Sequence, residues 1–333
     1  MPLSVLDLSP IGEGRSATDA LRGSIDLARH VEGLGFTRFW LAEHHSMPGI
    51  ASSAPPVVIG AVAAGTERIR VGSGGVMLPN HQPLVVAEQF GTLEALHPGR
   101  IDLGIGRAPG TDPVTAHALR RGAEGLSADD FPQQLAELRA FFRGEWPQDH
   151  PYRSISAVPA VGHEPPMWLL GSSGYSAQVA GLLGLPFAFA HHFSAQNTVP
   201  ALDLYRHSFR PSETLSEPYA MIAVQVVVAD TDAEAERLAL PSALSFLRLR
   251  GGHPGPLPTP EAAAAHPWTE AERGMVAARQ ADQAVGSPAT VRDRLADLLE
   301  RTGADELMAT TILHDNTDRM RSFSLLRDLV PAA

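Results

Sequence analysis

Eight short apolar runs, each followed by a segment of different periodicity, constrain this 333-residue chain more than any other feature. They are Leu3–Leu8, Thr37–Ala42, Ile69–Ser73, Ile101–Gly106, Met167–Gly171, Pro186–Ala190, Tyr219–Ala229 and Glu306–Leu313. Near-continuous apolar character is the mark of parallel strands covered on both faces. Between the runs, apolar residues recur at helical spacing, as in Ala17, Leu21, Ile25, Ala28, Val31 and Leu34 behind Ser16, with Asp19 placed to complete a capping box. Pro55–Gly65, Pro83–Leu96 and a helix after Ser287-Pro288 open on proline, where a helix tolerates it. A further helix capped by Ser127 and Asp130 turns Phe131, Leu135, Leu138 and Phe142 to one face, and others run over Asp232–Arg248 and from about Thr317 to Leu329.

Eight strands alternating with helices predict a single α/β domain over residues 1–333, a (β/α)8 TIM barrel with an insertion between the seventh and eighth strands. A doubly wound open sheet is the competing architecture. The carboxyl ends of six runs favour the barrel: Glu43-His44-His45, Gly74-Gly75, Arg107, Ser172-Ser173, His191-His192 and His314-Asp315 are polar or glycine-rich. Only a closed barrel gathers so many strand ends around one pocket.

A formal net charge of −11 without a basic tract leaves no electrostatic footprint for nucleic acid or an anionic membrane. The absence of cysteine removes disulfides, thiolate metal sites and cysteine nucleophiles. The amino terminus lacks the basic and apolar regions of a signal peptide, and no apolar run approaches the roughly 20 residues of a membrane helix. A soluble, cytoplasmic protein is expected.

Three stretches carry chemistry. Phe39 to Ala42 stops abruptly at Glu43, His44 and His45, as a buried strand does where its end opens into a site. Ser172-Ser173-Gly174-Tyr175-Ser176 combines small hydroxyls, a glycine and the free amides of a helix start, the parts of a phosphate site, although an ordinary serine N-cap has the same parts. Arg107 ends a buried strand, where an arginine seldom lacks an anionic partner. Gly104-Ile105-Gly106 with Gly110 is no dinucleotide fingerprint, since the spacing is wrong and Pro109 and Pro113 interrupt the helix it needs. No metal site is expected, because adjacent residues of an extended chain face opposite ways and His44 and His45 cannot readily share an ion.

Ala42-Glu43-His44-His45, Val71-Gly72-Ser73-Gly74-Gly75-Val76-Met77-Leu78-Pro79, Ala87-Glu88-Gln89 and Gly99 through Arg107 resemble, in order, the motifs of the bacterial luciferase-like flavin monooxygenases. The similarity continues through Gly171-Ser172-Ser173 and Gly286-Ser287-Pro288. It implies a barrel that binds FMN at the carboxyl end of its strands and uses reduced FMN with oxygen. It further implies that Ser172, Ser173, Gly174 and Ser176 lie at the flavin phosphate, that Arg107 anchors the cofactor, and that Gly74-Gly75 occupies a position under the flavin ring where the family often has a non-prolyl cis peptide. His44 is then the acid/base, with Glu43 as its partner. Gly106 stands where luciferases proper have cysteine, which removes any reason to expect light emission.

The resulting expectation is an FMN-dependent monooxygenase acting on a small organic substrate, with reduced FMN supplied by a separate flavin reductase. A deazaflavin-dependent dehydrogenase on the same barrel, a non-catalytic flavin-binding protein and, more distantly, a metal-dependent hydrolase are the alternatives. The proline-rich stretch Gly251–Trp268, part of an insertion at about 250–285, is placed to act as a mobile lid over the flavin. Val57, Val58, Ile59, Val62, Val85, Val86 and Phe90 on the second and third helices suggest a second apolar stripe and a homodimer.

Overall fold

All eight runs become strands of one parallel sheet in the computed structural model, which describes residues 1–108, 112–120 and 130–330. In chain order the elements are β1 (Leu3–Asp7), α1 (Ala17–Gly33), β2 (Arg38–Leu41), α2 (Pro55–Ala64), β3 (Arg70–Ser73), β4 (Val76–Met77), α3 (Pro83–Leu96) and β5 (Ile101–Gly106). They continue with α4 (Pro113–Arg120), α5 (Phe131–Arg143), β6 (Met167–Gly171), α6 (Gly174–Leu183), β7 (Phe187–Phe189), α7 (Thr198–Ser208) and β8 (Ala220–Val228). The last third holds α8 (Asp232–Arg250), α9 (Pro260–Ala264), α10 (Glu270–Gln280), β9 (Ala284–Gly286), α11 (Pro288–Thr302), β10 (Glu306–Thr310) and α12 (Asn316–Leu329).

The order β1-β2-β3-β5-β6-β7-β8-β10 closes on itself, since β10 pairs in parallel with both β8 and β1. This is the eight-stranded barrel, and the open sheet is excluded. Two short strands are additions that the apolar pattern does not reveal: β4 extends the wall beside β5, and β9 extends it beside the long β8. Ser16 and Asp19 form the expected capping box on α1, whose Leu27, Ala28 and Val31 are buried against the barrel. At α5, Phe131, Leu135, Leu138 and Phe142 are buried as expected; Asp130 occupies the cap without a side-chain bond, and Ser127 lies outside the described residues.

Alternation along the strands divides the core. Val5, Phe39 and Leu103 point outward into the large cluster under the helices. Leu6, Trp40, Trp168, Met221 and Met308 point inward and fill the barrel. Below them the amino end is sealed by charge: Asp102, fully buried, accepts from Arg38 (2.7 Å), Arg70 (2.6 Å) and the Trp40 indole (3.0 Å). Glu306 accepts from Arg38 (3.1 Å), the Tyr219 hydroxyl (2.9 Å) and Ser4. Buried carboxylates are tolerated only when paired in this way. Free volume is therefore left to the carboxyl end.

The wall formed by β3 and β5 requires glycine for close approach. A Cβ on Gly104 would stand 2.0 Å from the Ser73 carbonyl oxygen, and one on Gly75 would stand 2.9 Å from the carbonyl oxygen of Gly104. The Gly74–Gly75 peptide is cis.

Of the residues expected to form a second apolar stripe, Val58, Ile59, Val62, Val86 and Phe90 are buried within the protomer, while Val57 and Val85 are 73% and 44% exposed. The helices are apolar all round chiefly because α2 and α3 pack against neighbours on more than one side, so the surface left for a partner is narrower than the sequence implies. Among the described residues, no helix is long and apolar enough to cross a membrane.

Candidate active site

Glu43, His44 and His45 follow β2 at the open end, where the chain is turned by Ser46 in a left-handed conformation (φ 55°). The side chains separate by the alternation of extended backbone. Glu43, 1% exposed, accepts from His45 Nε2 and His81 Nε2, both at 2.8 Å, and from the Met77 amide at 3.0 Å. Burial alone would raise this carboxyl, but the hydrogen bonds and charge of His81, the Met77 amide and His45 outweigh it and hold the group below the usual carboxylate range. Glu43 is thus a hub tying the loop after β2 to the turn at Leu78–Asn80, and no hydrogen bond joins it to His44. The ligand atoms of Glu43, His45 and His81 lie within 4.8 Å of one another, a grouping within reach of one cation that the local sequence hides, because His81 is remote in the chain.

His44 points the other way, into a cavity of about 540 Å³ at the carboxyl mouth. Its amide is bonded to the Ser52 carbonyl (3.0 Å), while its buried Nδ1 has no hydrogen-bond partner. Burial lowers its pKa, opposed by the charge of Glu43. His191 and His192, which follow β7, line the same cavity. His192 Nδ1 donates to the Ala223 carbonyl oxygen (2.9 Å), and burial pushes its pKa down to about 4. Neutral imidazoles therefore form this wall near neutral pH.

Arg107 and the serine loop come together as expected. The guanidinium lies 4.2 Å from the centroid of the Tyr175 ring, in the first turn of α6, and no carboxylate pairs with it among the described residues. Ser173 caps α6 in position only, its hydroxyl making no cap bond, so the amides of the first turn are not taken up by it. Ser172 and Ser173 are exposed, whereas Ser176 is 5% exposed and packs toward Gly171. Gly174 is held close to Leu204, where a Cβ would approach its side chain to 3.0 Å. Gly74, Gly75, Arg107 and the serine loop do not line the 540 Å³ cavity, so the two groups of expected site residues occupy different parts of the mouth.

The proline-rich stretch lies across this end. Leu257 exchanges backbone hydrogen bonds with Ile11 and Glu13 (2.8 Å each), and Pro254, Gly255 and Leu257 contribute to the cavity lining. It contains α9, capped by Thr259, and Trp268 donates to the Ala263 carbonyl (3.0 Å). The remaining wall comes from α8 and α10, through Ser242, Ser245, Phe246 and Arg279. No sequence signal marked these residues, because on amphipathic helices they are indistinguishable from residues of a solvated face.

A parallel barrel whose carboxyl mouth carries neutral imidazoles, an arginine with no carboxylate partner among the described residues and an uncapped helix start places the chain in the (β/α)8 class, with a candidate site at its carboxyl end. The luciferase-like monooxygenase family model matches residues 1–306, and the chain belongs to that family. It is 48% identical over 326 residues to a luciferase-like monooxygenase of Escherichia coli (strain K12), covering 98% of this chain and 96% of that protein. It is 35% identical over 332 residues to the N-acetyl-S-alkylcysteine monooxygenase of Bacillus subtilis (strain 168), covering 99% and 98%. Among solved structures it is similar to apo-MsnO8, with a TM-score of 0.89 and 39% identity over 98% of each chain. These relationships support an oxidoreductase of the monooxygenase type.

Proposed function

We propose that the protein is an FMN-dependent monooxygenase that receives reduced FMN from a separate flavin reductase and uses O2 to oxygenate a small organic substrate. The observation carrying the cofactor assignment is the Arg107 guanidinium, set without a carboxylate partner against the first turn of α6. A cation and free helix amides together are suited to a terminal phosphate. Arg107, Ser172, Ser173 and Gly174 hold that group, and the glycine wall at Gly74 and Gly75 admits the ring. Ser176, being buried, supports the loop from behind. Bound reduced FMN supplies the electrons that activate dioxygen.

The protein's own residues supply the rest. His44 is a neutral imidazole on the cavity wall, its Nδ1 buried without a hydrogen-bond partner, and its ring is able to take up or deliver a proton there. Glu43, through His45 and His81, fixes the loop that presents His44. The segment Gly251–Trp268 acts as a lid that excludes water.

The test is a spectroscopic titration of the purified protein with FMN and, separately, with a deazaflavin, under reducing and oxidising conditions. FMN should be retained and its reduced form should consume oxygen when substrate is present. Retention and turnover of the deazaflavin alone would replace the assignment with a dehydrogenase. Unchanged oxygen consumption in His44→Ala would remove His44 from the chemistry.

A further inference from the structure

The 540 Å³ cavity is lined by Arg279, a largely enclosed cation that no carboxylate among the described residues answers. Arg279, near the end of α10, has a guanidinium 4.5 Å from the centroid of the Phe246 ring and donates to Gln225 Oε1 at 3.2 Å. Gln225 is itself occupied by Gln283 and Ser242. No carboxylate pairs with Arg279 among the described residues, and its pKa is lowered by burial alone. Asp282 also lines the cavity but makes no ion pair with it. Burying a charge without a counter-ion is expensive, so a position of this kind is expected to be completed by a ligand.

A second observation points the same way. Ser245, on the neighbouring face of α8, lines the cavity, and its hydroxyl is buried without a hydrogen-bond partner. Elsewhere the cavity is largely apolar, with Leu8, Met47, Ile50, Leu257 and Ile312 on its walls and His44 among them. The exposed Arg250 also lines the cavity, its guanidinium 5.7 Å from the centroid of the same Phe246 ring. A cation without a counter-ion among the described residues, a buried unpartnered hydroxyl and a predominantly apolar wall, on which Asp282 also lies, describe a receptor for an amphipathic anion.

We propose that Arg279 and Ser245 form a carboxylate subsite, and that the substrate oxygenated beside His44 is a small organic acid whose apolar part fills the rest of this cavity. The identification of the ligand as the substrate rests on the monooxygenase assignment above; the subsite itself does not. Arg279 sets which molecule binds and in which orientation, while the cofactor phosphate is held separately at Arg107.

Calorimetric titration of the full-length protein with hexanoate and with hexanamide, which differ in charge and little in shape, tests this. Hexanoate should bind about tenfold tighter than hexanamide or better, the scale of one charge-assisted contact. Arg279→Gln should abolish the preference, Arg279→Lys should keep part of it, and Ser245→Ala should reduce it by a smaller factor. Equal binding of the two probes by the unaltered protein, binding of neither at millimolar concentration, or an undiminished preference in Arg279→Gln would each overturn the proposal. So would an Arg279→Gln protein whose only change is weaker FMN binding, which would assign the cofactor phosphate to Arg279. Should Arg279→Gln fail to fold, the comparison of probes on the unaltered protein and on Arg279→Lys still decides. Carboxylate preference in a protein that retains no FMN would leave the subsite standing and remove the monooxygenase assignment, and FMN retention without the preference would do the reverse.

Discussion

Replacing Arg107 by alanine isolates the phosphate-binding assignment from the fold. The side chain follows β5 and, among the described residues, packs on the Tyr175 ring, 4.2 Å from the guanidinium carbon to the ring centroid, with Tyr175 itself 36% exposed. An exposed cation–π contact contributes about 0.5–1 kcal/mol, so the folded state should lose no more than that. A charge-assisted contact to an anionic group is worth about 1.5–3 kcal/mol, which corresponds to a rise in Kd of roughly ten- to a hundredfold. FMN and riboflavin differ in the terminal phosphate, which makes riboflavin the control. Fluorescence titration should therefore show FMN binding weakened by about ten- to a hundredfold in Arg107→Ala, riboflavin binding changed by less than about threefold, and urea unfolding shifted by at most about 1 kcal/mol. Equal losses for the two flavins, or an unchanged Kd for FMN, would refute the assignment of Arg107 and α6 to the phosphate.

Three further outcomes are expected. His192 has its pKa depressed from 6.5 to about 4 by burial, so below pH 6.5 the unfolded chain takes up a proton that the folded protein refuses. Its contribution to stability is complete above that value and is lost as pH falls toward about 4; denaturation midpoints at pH 7.5, 6 and 5 should fall less steeply in His192→Gln than in the unaltered protein, and parallel slopes would rule this out. If the segment Gly251–Trp268 is a lid, limited proteolysis within it should be slowed by reduced FMN, whereas identical cleavage with and without flavin would leave it a static cover. For self-association, sedimentation should give a dimer at micromolar concentration and Val57→Lys, which places a charge on the most exposed of the apolar residues named on α2 and α3, should shift it toward monomer; a monomer in the unaltered protein would end that proposal.

The barrel was legible in the sequence because it follows from local rules repeated eight times. Covered parallel strands must be apolar throughout, and helices packed on them must show one stripe, so β1 through β10 emerge from pattern alone with the exception of the short β4 and β9. Closure also fixed which end carries the site, since the carboxyl ends of the strands share one mouth, and Arg107 duly meets the start of α6. What each of those residues touches was decided only in three dimensions. The sequence placed Glu43 beside His44, but extended backbone sends them to opposite faces, and Glu43 finds His45 and the distant His81 instead. Ser176 reads like its serine neighbours and is buried because the helix turns it toward Gly171. Arg279 and Ser245 carry no local signal at all: each lies on a helix whose polar residues would face water on a straight reading, and it is the insertion between β8 and β10, folded over the mouth, that brings them beside His44. Periodicity records which side of an element is buried against the core, whereas a binding wall is made by surfaces that periodicity counts as exposed and that only the tertiary fold turns toward one another.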